Sequence, residues 1–450
     1  MSSTQTAAAA PRAKRALPPG VAAFDVAVPS LLDGWPLGAK LYTPPAAAAR
    51  GAGKGAVCIA PATGVPGKFY GAFAAALAAS GHTVITFDPR LNGASYPAPD
   101  APEQFPSEPH DSQAFAQEDR IRCLRAWPQV GWMHYAADVA SAMLRLAQEA
   151  PSAPMYYIGN SLGAHMLPPA LAYLRAEKRH GGAEAAERLK RALFVGGNSP
   201  HFGYNEDPAA LVHVYEATLD DVVAEGYGVT SRVGLGLDIP RRALEDWMTN
   251  AVHPNYIGAV PAHQPAFETY DIDTLHVVFS DDNLAVGPRK IDAYARILGY
   301  PTNIESTNEM TYWQGEGETP DYSGASAFAR GDPPDASDTG RQPNAFINTR
   351  LHVDVWANGW VRGSPSASSG DPDTRPPVVG HVDFVRAAVG APESKSAESW
   401  TLLTTWLEHG TVPERHDEVL QGNGRRRDFG AAPPAPGWHS EARSPTRSKL

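Results

Sequence analysis

The stretch that decides the fold reads Tyr156-Tyr157-Ile158-Gly159-Asn160-Ser161-Leu162-Gly163. An apolar run enters Gly-x-Ser-x-Gly, and helix-forming residues follow at once. This order is typical of a nucleophile elbow, in which a serine occupies a sharp turn between a buried strand and a helix. A side chain at Gly159 or Gly163 would collide with the neighbouring strand or helix. The motif therefore predicts that Ser161 is a nucleophile whose hydroxyl stands above the edge of a sheet.

Strands and helices alternate on both sides of this elbow. Strand-like runs, apolar or β-branched, occupy residues 22–28, 37–42, 56–60, 83–88, 192–195 and 275–280. Helical patterns separate several of them, as in 69–79 and in 135–148, where apolar residues recur at i, i+3, i+4 and i+7. The alternation predicts an α/β fold with a doubly wound, mostly parallel sheet. Residues 198–268 interrupt it and predict a small, mainly helical cap insertion over the carboxyl ends of the strands.

Changes of composition divide the chain. Residues 1–20 are rich in Ala and Pro, and residues 420–450 in Pro, Gly, Arg and Ser, so both are predicted to be disordered. Residues 89–130 hold many prolines and acids and are interpreted as an excursion. The predicted order is an N-terminal tail (1–20), the first part of the core (21–197), the cap (198–268), the second part of the core (269–313), a loop-rich insertion (314–376), the C-terminal part of the core (377–419) and a C-terminal tail (420–450).

Composition and charge exclude several classes of protein. The formal net charge of −11 argues against nucleic acid as the main partner. The two cysteines, Cys58 and Cys123, cannot build a disulfide framework, and Cys58 lies in a strand-like run that favours a buried free thiol. No apolar run reaches the roughly 18 residues that span a bilayer, and no apolar signal core follows the basic N-terminus, so we expect a cytoplasmic protein. No metal-ligand spacing occurs, so neither a metal nor another cofactor is expected.

A serine nucleophile needs an acid that orients its base, and the acid is expected directly after the strand that follows the cap. That position reads Ser280-Asp281-Asp282-Asn283-Leu284. Asp282 is the preferred candidate because Leu284, two positions on, can anchor the loop. Asp281 is the close alternative. Both aspartates would also suit a plain turn or a helix N-cap.

The base should be a late histidine on a loop after the last strand. His381 fits this position because a short apolar run and Gly380 precede it and a helical pattern follows. The downstream histidines for which a surface or core role is preferred are His352, His409, His416 and His439. His381 lies 99 residues after Asp282, and we attribute this long separation to the insertion at 314–376.

The oxyanion of the reaction needs two backbone N–H donors. One usually comes from the residue after the nucleophile, here Leu162, and the other from the loop after the third strand. That loop spans residues 60–67, and its glycines allow the backbone to turn inward. Val65 is the candidate donor there. A simple Gly/Pro turn is the alternative interpretation of this loop.

Motifs beyond the elbow resemble those of a known family, and they are Ala62-Thr63-Gly64-Val65-Pro66, Phe87-Asp88-Pro89-Arg90, Leu235-Gly236-Leu237-Asp238-Ile239-Pro240 and Gly380-His381. Together they look like a family of α/β-hydrolases related to the serine aminopeptidase-like hydrolases, over about residues 55 to 310 and again near 378. The resemblance implies a triad of Ser161, one aspartate of the 281–282 pair and His381. Asn160 stands where that family often has histidine. The insertions at 99–130 and 314–376 are not family features.

The predicted reaction is hydrolysis of a carboxylic ester, or of a related acyl bond, in a small-molecule substrate. Ser161 would attack the acyl carbonyl, His381 would take its proton, and Asp282 would fix the imidazole tautomer. Two alternatives stay open: acyl transfer from the same acyl-enzyme to another acceptor, and a non-catalytic ligand-binding protein of the same fold. The sequence leaves the oligomeric state open.

Overall fold

The fold is built on a seven-stranded sheet. The computed structural model describes residues 16–46, 54–201, 208–233, 235–251, 256, 264–277, 294 and 397–410. The strands are β1 (Ala22–Pro29), β2 (Pro36–Thr43), β3 (Gly55–Ala60), β4 (His82–Phe87), β5 (Met155–Asn160), β6 (Leu189–Val195) and β7 (Asp273–Val277). They lie in the order β1-β2-β4-β3-β5-β6-β7. Strand β2 runs antiparallel to both neighbours, and the strands from β4 to β7 run parallel, so the sheet is the mixed, mostly parallel sheet of the α/β-hydrolase fold.

Helices cover both faces of this sheet. They are α1 (Gly71–Ala79), α2 (Gln117–Ala126), α3 (Trp132–Glu149), α4 (Leu162–Ala176), α5 (Gly182–Arg188), α6 (Pro208–Glu225), α7 (Arg241–Ala251), α8 (Gln264–Glu268) and α9 (Ala397–His409). Ala56 and Cys58 of β3 pack in one core cluster with α3 and α4, whereas Val57 and Ile59 pack in a second cluster with α1 and α9. Alternate side chains are thus buried on opposite faces, which explains why β3 is a continuous apolar run in the sequence.

The carboxyl ends of the central strands meet at one edge of the sheet. Ala60, the last residue of β3, pairs with Gly159 near the end of β5. Asn160, the last residue of β5, pairs with Val195 of β6, which in turn pairs with Val277 of β7. The turns that follow β3, β5 and β7 therefore leave the sheet from the same edge, which is where ligands bind in parallel α/β sheets.

Between β6 and β7 lies the segment named as the cap in the sequence analysis, and its described residues are mainly helical. It contains α6, a 3-10 turn at Thr230–Val233, α7 and the short α8. Several elements differ from the sequence analysis. Helix α5 has no counterpart in the predicted pattern, and strand β6 begins at Leu189, three residues before its predicted start. Helix α2 lies inside the predicted excursion, and it escapes notice because only Cys123 and Leu124 are buried, so no apolar periodicity marks it. Strand β7 begins at Asp273, two residues early, because its first two residues are polar.

Helix α9 attaches the C-terminal part of the chain to the sheet. Trp406 is buried, and its indole N–H donates to the carbonyl of Ala192 in β6 at 2.9 Å. Glu408 Oε1 lies 2.8 Å from Lys54 Nζ and 3.4 Å from His82 Nε2. These partners stand at the amino ends of β3 and β4, so the C-terminal end of α9 lies at the edge of the sheet opposite Ser161.

The cysteines are free, and both are buried, which confirms the thiol predicted for Cys58. None of the helices that the structure describes is long and apolar enough to cross a membrane. The predicted insertion at 314–376 and the predicted tail at 420–450 lie outside the described residues.

Candidate active site

Ser161 occupies a strained turn between β5 and α4. Its φ of 51° and ψ of −112° fall in a region that residues other than glycine rarely adopt. Its N–H donates to Val195 O at 2.8 Å, and its carbonyl accepts from Ala164 N–H at 2.9 Å. The side chain is partly exposed although both neighbouring residues are buried. This is the geometry that Gly-x-Ser-x-Gly predicts, because the strained turn holds the hydroxyl clear of the sheet.

Close backbone contacts require glycine on both sides of the nucleophile. A Cβ atom on Gly159 would lie 2.6 Å from Ala164 N, and one on Gly163 would lie 2.8 Å from the carbonyl carbon of Ala60. The Tyr157 hydroxyl also donates to Gly163 O at 2.5 Å. Helix α4 therefore begins tightly against the ends of β3 and β5, and no side chain fits between them.

The first turn of α4 presents backbone N–H groups beside the nucleophile. Leu162 is the first residue of the helix, so its N–H has no intrahelical acceptor, and the Ser161 side chain does not cap the turn. The positive end of the helix dipole lies at the same place and also stabilises negative charge there. The arrangement suits an oxyanion that develops next to Ser161.

The loop after β3 leaves the sheet beside the elbow, because Ala60 pairs with Gly159. Val65 N–H, the predicted oxyanion donor, donates to Ala62 O at 3.1 Å and closes a turn. Thr63 N–H, in the same turn, has no acceptor among the described residues. Of the four N–H groups in the 62–65 turn, those of Ala62 and Val65 are therefore engaged, and those of Thr63 and Gly64 have no acceptor among the described residues.

Four groups from outside residues 62–67 hold this loop in place. Ala62 N–H donates to Tyr70 Oη at 3.0 Å, and Gly67 N–H donates to Asp88 Oδ1 at 2.6 Å. Gly64 O accepts from Leu237 N–H at 2.8 Å, and Val65 O accepts from Asn92 Nδ2 at 3.1 Å. These partners come from three parts of the chain: the turn before α1, the segment after β4, and the cap. The backbone of the loop is therefore fixed before a substrate arrives.

A chain of hydrogen bonds joins the same loop to the elbow. Ala62 N–H donates to the Tyr70 hydroxyl, which donates to Asn160 Oδ1 at 2.8 Å. Asn160 Nδ2 donates to Val195 O at 3.0 Å, and this carbonyl also accepts from Ser161 N–H. Tyr70 and Asn160 are both fully buried. In the sequence, Asn160 stands out only as a departure from a family pattern, because a contact across 90 residues leaves no local signal.

Asp88 is a buried carboxyl that sequence reasoning also left without a role. Its two oxygens accept from Gly67 N–H at 2.6 Å and from Ala94 N–H at 2.8 Å. Burial raises its pKa to about 7, and the two N–H donors oppose this shift. A group that titrates near neutral pH thus holds the loop that carries the candidate oxyanion donors.

The predicted acid and base lie outside the described residues, and so do most of their alternatives. This holds for Asp281, Asp282, His381, His352, His416 and His439. His409 is described, and it is exposed at the end of α9 next to Glu408, on the side of the sheet away from Ser161. It cannot serve as the base.

One further histidine lies near the elbow and packs in the core. His165 is buried in the second turn of α4, with the rings of Trp132, Tyr256 and Tyr294 centred 4.8 to 6.2 Å from its own. Its Nε2 atom lies 2.8 Å from the carbonyl oxygen of Asn198. Within the described part of the chain, no three His, Cys, Asp or Glu side chains are grouped as metal ligands would be.

Comparison with known proteins finds only distant structural similarity. No family model and no curated protein matches the sequence. The structure is similar to a monoglyceride lipase from Saccharomyces cerevisiae, at 16% identity and a TM-score of 0.39 over 60% of this chain and 83% of that one. An esterase from Exiguobacterium antarcticum gives 12% identity and a TM-score of 0.35 over 61% and 87%. A thermostable carboxyl esterase from Bacillus coagulans gives 16% identity and a TM-score of 0.28 over 46% of this chain, and the match spans only 51% of that esterase.

Proposed function

We propose that the protein is a serine hydrolase that cleaves a carboxylic ester, or a related acyl bond, through an acyl-enzyme on Ser161. The observation that carries the proposal is the strained backbone of Ser161. Its φ is 51°, and the glycines two residues before and two residues after it admit no Cβ atom. Strain of this kind in a buried turn needs a reason, and presentation of a nucleophile is one that fits the partly exposed hydroxyl.

The reaction follows from the groups around Ser161. Its oxygen forms a bond to the acyl carbon while its proton passes to a base, for which we propose His381. The carbonyl oxygen becomes an oxyanion, which accepts a hydrogen bond from Leu162 N–H and one from the 62–65 turn. The base returns the proton to the leaving alkoxide as the tetrahedral intermediate collapses. Water then attacks the acyl-enzyme by the same route and releases the acid.

We infer that the second oxyanion donor comes from the 62–65 turn. Val65 would have to exchange its hydrogen bond to Ala62 for one to the oxyanion, whereas Thr63 would have no bond to exchange. Both amides lie in the same turn, whose backbone is held by Tyr70 and Leu237.

The sheet register supports the proposed acid, Asp282, and its neighbour Asp281. Val277 at the end of β7 stands level with Asn160, and β5 and β7 are two strand spacings, roughly 10 Å, apart. The aspartates follow Val277 by four and five residues, and a chain spans at most about 3.3–3.6 Å per residue. The length of this segment therefore allows either carboxyl to reach the elbow. His381 precedes α9, which packs on the sheet, by 16 residues.

The first experiment removes the nucleophile. Ser161→Ala should keep its thermal unfolding midpoint and lose hydrolysis of short p-nitrophenyl esters by about 10³-fold or more. It should also lose covalent labelling by a fluorophosphonate. Activity within roughly tenfold of wild type would show that Ser161 is not the nucleophile. Labelling without turnover in water, restored by an alcohol acceptor, would instead favour acyl transfer.

The second experiment assigns the acid and the base. Asp282→Asn should lower turnover by about 10³-fold or more, and Asp281→Asn serves as the matched control one residue away. For wild type, kcat/KM should rise with pH through an imidazole pKa, ordinarily about 6.5. His381→Ala should remove this titration together with the activity, and His352→Ala should remove neither. If Asp281→Asn is the inactive variant and Asp282→Asn is not, Asp281 is the acid. If His352→Ala removes the titration and His381→Ala does not, His352 is the base.

A further inference from the structure

A segment of the cap lies directly on the loop that carries the candidate oxyanion donors. Leu237 N–H donates to Gly64 O at 2.8 Å. The two backbones are so close that a Cβ atom on Gly64 would lie 2.7 Å from Leu237 N, and one on Gly236 would lie 2.6 Å from Gly64 O. Both glycines also have positive φ, 65° and 98°. Neither position can carry a side chain without separating the cap from the loop.

Thr230 fixes this cap segment from the other side. Its hydroxyl donates to Leu237 O at 2.6 Å, and its carbonyl accepts from Leu235 N–H at 3.0 Å. The side chain is fully buried. Gly228 and Ile239 exchange two backbone hydrogen bonds, of 2.8 and 3.0 Å, and close the base of the same turn. Thr230 and the Gly228–Ile239 bridge thus brace residues 235–237, which contact the 62–65 turn.

We propose that Thr230 and Gly236 are positioning residues for the oxyanion hole, acting through Leu237 and Gly64. The inference rests on the proposed function of Ser161. Neither residue needs to touch the substrate. The Thr230 hydroxyl holds the carbonyl of Leu237, and the N–H of the same residue holds Gly64 O. This carbonyl belongs to the 63–65 backbone that carries the donor. The cap then contributes to the rate of the chemical step.

The expected effect is on turnover more than on binding. The donor N–H groups act only where they meet the oxyanion. A displacement of the turn therefore weakens the stabilisation of the transition state and leaves the other contacts to the substrate unchanged. Displacements of about 1 Å at such sites can cost roughly 10²-fold. Gly236→Ala should therefore lower kcat by about 10²-fold and Thr230→Val by about tenfold, with KM changed less than about threefold in both.

The chain offers a matched control for each variant. Gly226, at the end of α6, also has positive φ, 78°, but the nearest atom to a Cβ atom there is Arg125 Cγ at 3.8 Å. Gly226→Ala imposes similar backbone strain in the same cap without touching the 62–65 turn, so its kcat should stay within about twofold of wild type. Thr230→Ser keeps the hydroxyl donor and should recover most of the activity that Thr230→Val loses.

The measurement is kcat and KM for a short p-nitrophenyl ester, the rate of fluorophosphonate labelling, and the thermal unfolding midpoint of each variant. The inference is supported if kcat and labelling fall for Gly236→Ala and Thr230→Val, while Gly226→Ala and Thr230→Ser stay near wild type. It is overturned if Gly236→Ala, Thr230→Val and Gly226→Ala all lower kcat in proportion to lost stability, or if Thr230→Val acts on KM alone. If Ser161→Ala is as active and as strongly labelled as wild type, the proposed function itself is refuted.

Discussion

At the scale of single residues, Asn160 shows why the residue before the nucleophile matters. Its amide accepts from Tyr70 and donates to Val195 O at the same time. A carboxamide does both at every pH, whereas a neutral histidine does so with one fixed tautomer and a charged histidine only donates. Asparagine therefore joins the loop after β3 to the elbow independently of pH.

Asp88 gives a pH dependence of stability that can be measured. Its pKa is raised by burial to about 7 in the folded protein, against about 4 in an unfolded chain. The folded state thus binds this proton more tightly, so the contribution of Asp88 is complete below pH 4 and is lost as pH rises through 7. At roughly 1.4 kcal/mol per pKa unit, the loss is on the order of 4 kcal/mol.

Urea unfolding of wild type and Asp88→Asn between pH 5 and 8 checks this expectation. The free energy of unfolding should fall with pH more steeply for wild type than for Asp88→Asn, whose amide does not titrate. Asp25→Asn, which removes a carboxylate that is 86% exposed and 2.9 Å from Lys40, should keep the wild-type slope. Parallel curves for wild type and Asp88→Asn would mean that Asp88 is already ionised at pH 5.

At the scale of elements, Arg90 joins three parts of the fold. Its guanidinium bonds to Asp138 of α3 at 2.7 Å and to Asp33 at 2.6 Å, and it also donates to Ser30 Oγ in the same β1–β2 turn. Asp138 is fully buried, and its other oxygen accepts from the backbone N–H of Arg90. The segment after β4, which also holds Asp88 and Asn92, is thereby anchored to helix α3 and to the first hairpin.

Breaking this buried pair should be costly. Asp138→Asn leaves a buried guanidinium with one carboxylate fewer, and we expect it to lower the free energy of unfolding by about 3 kcal/mol. The matched change at the surface is Asp221→Asn, which removes an ion pair of 2.8 Å with Arg232 whose side chains are 39% and 53% exposed. That variant should lose less than about 1 kcal/mol. Equal losses in urea unfolding would show that burial does not set the strength of the Arg90 pair.

At the scale of the whole molecule, α9 links the C-terminal part of the chain to the central sheet. Trp406 and Leu407 pack into the cluster that also contains Val57, Ile59 and Leu193. Arg191 of β6 donates to Leu407 O at 2.9 Å and strengthens the same contact. This contact fixes the described C-terminal segment on the face of the sheet that also packs against α1.

Two tryptophans of α9 allow a comparison within one helix. Trp406→Ala removes a buried indole and its hydrogen bond to Ala192 O, so the free energy of unfolding should fall by about 3–5 kcal/mol. Trp400 is only partly buried, with its ring centred 5.9 Å from that of Phe73. Trp400→Ala should therefore cost clearly less. If Trp406→Ala leaves the thermal unfolding midpoint unchanged, then α9 does not stabilise the sheet.

The sequence by itself determined the class of fold, the strands of the sheet and the turn at Ser161. These features rest on local patterns: strands buried on both faces are continuous apolar runs, and the elbow needs glycine at 159 and 163 because a Cβ atom at either would strike backbone. Helix α2 shows no helical periodicity of apolar residues in the sequence, because it buries only two side chains.

Only the tertiary structure decided which groups hold the oxyanion loop. Tyr70, Asn160, Asp88 and Leu237 lie far apart in the chain and meet at one edge of the sheet, where the strand order brings the ends of β3, β4 and β5 together. A hydrogen bond between such residues depends on distance in space and leaves no periodicity in the sequence. The same holds for the engagement of Val65 N–H with Ala62, since the composition of a Gly/Pro turn does not specify which of its amides stay free.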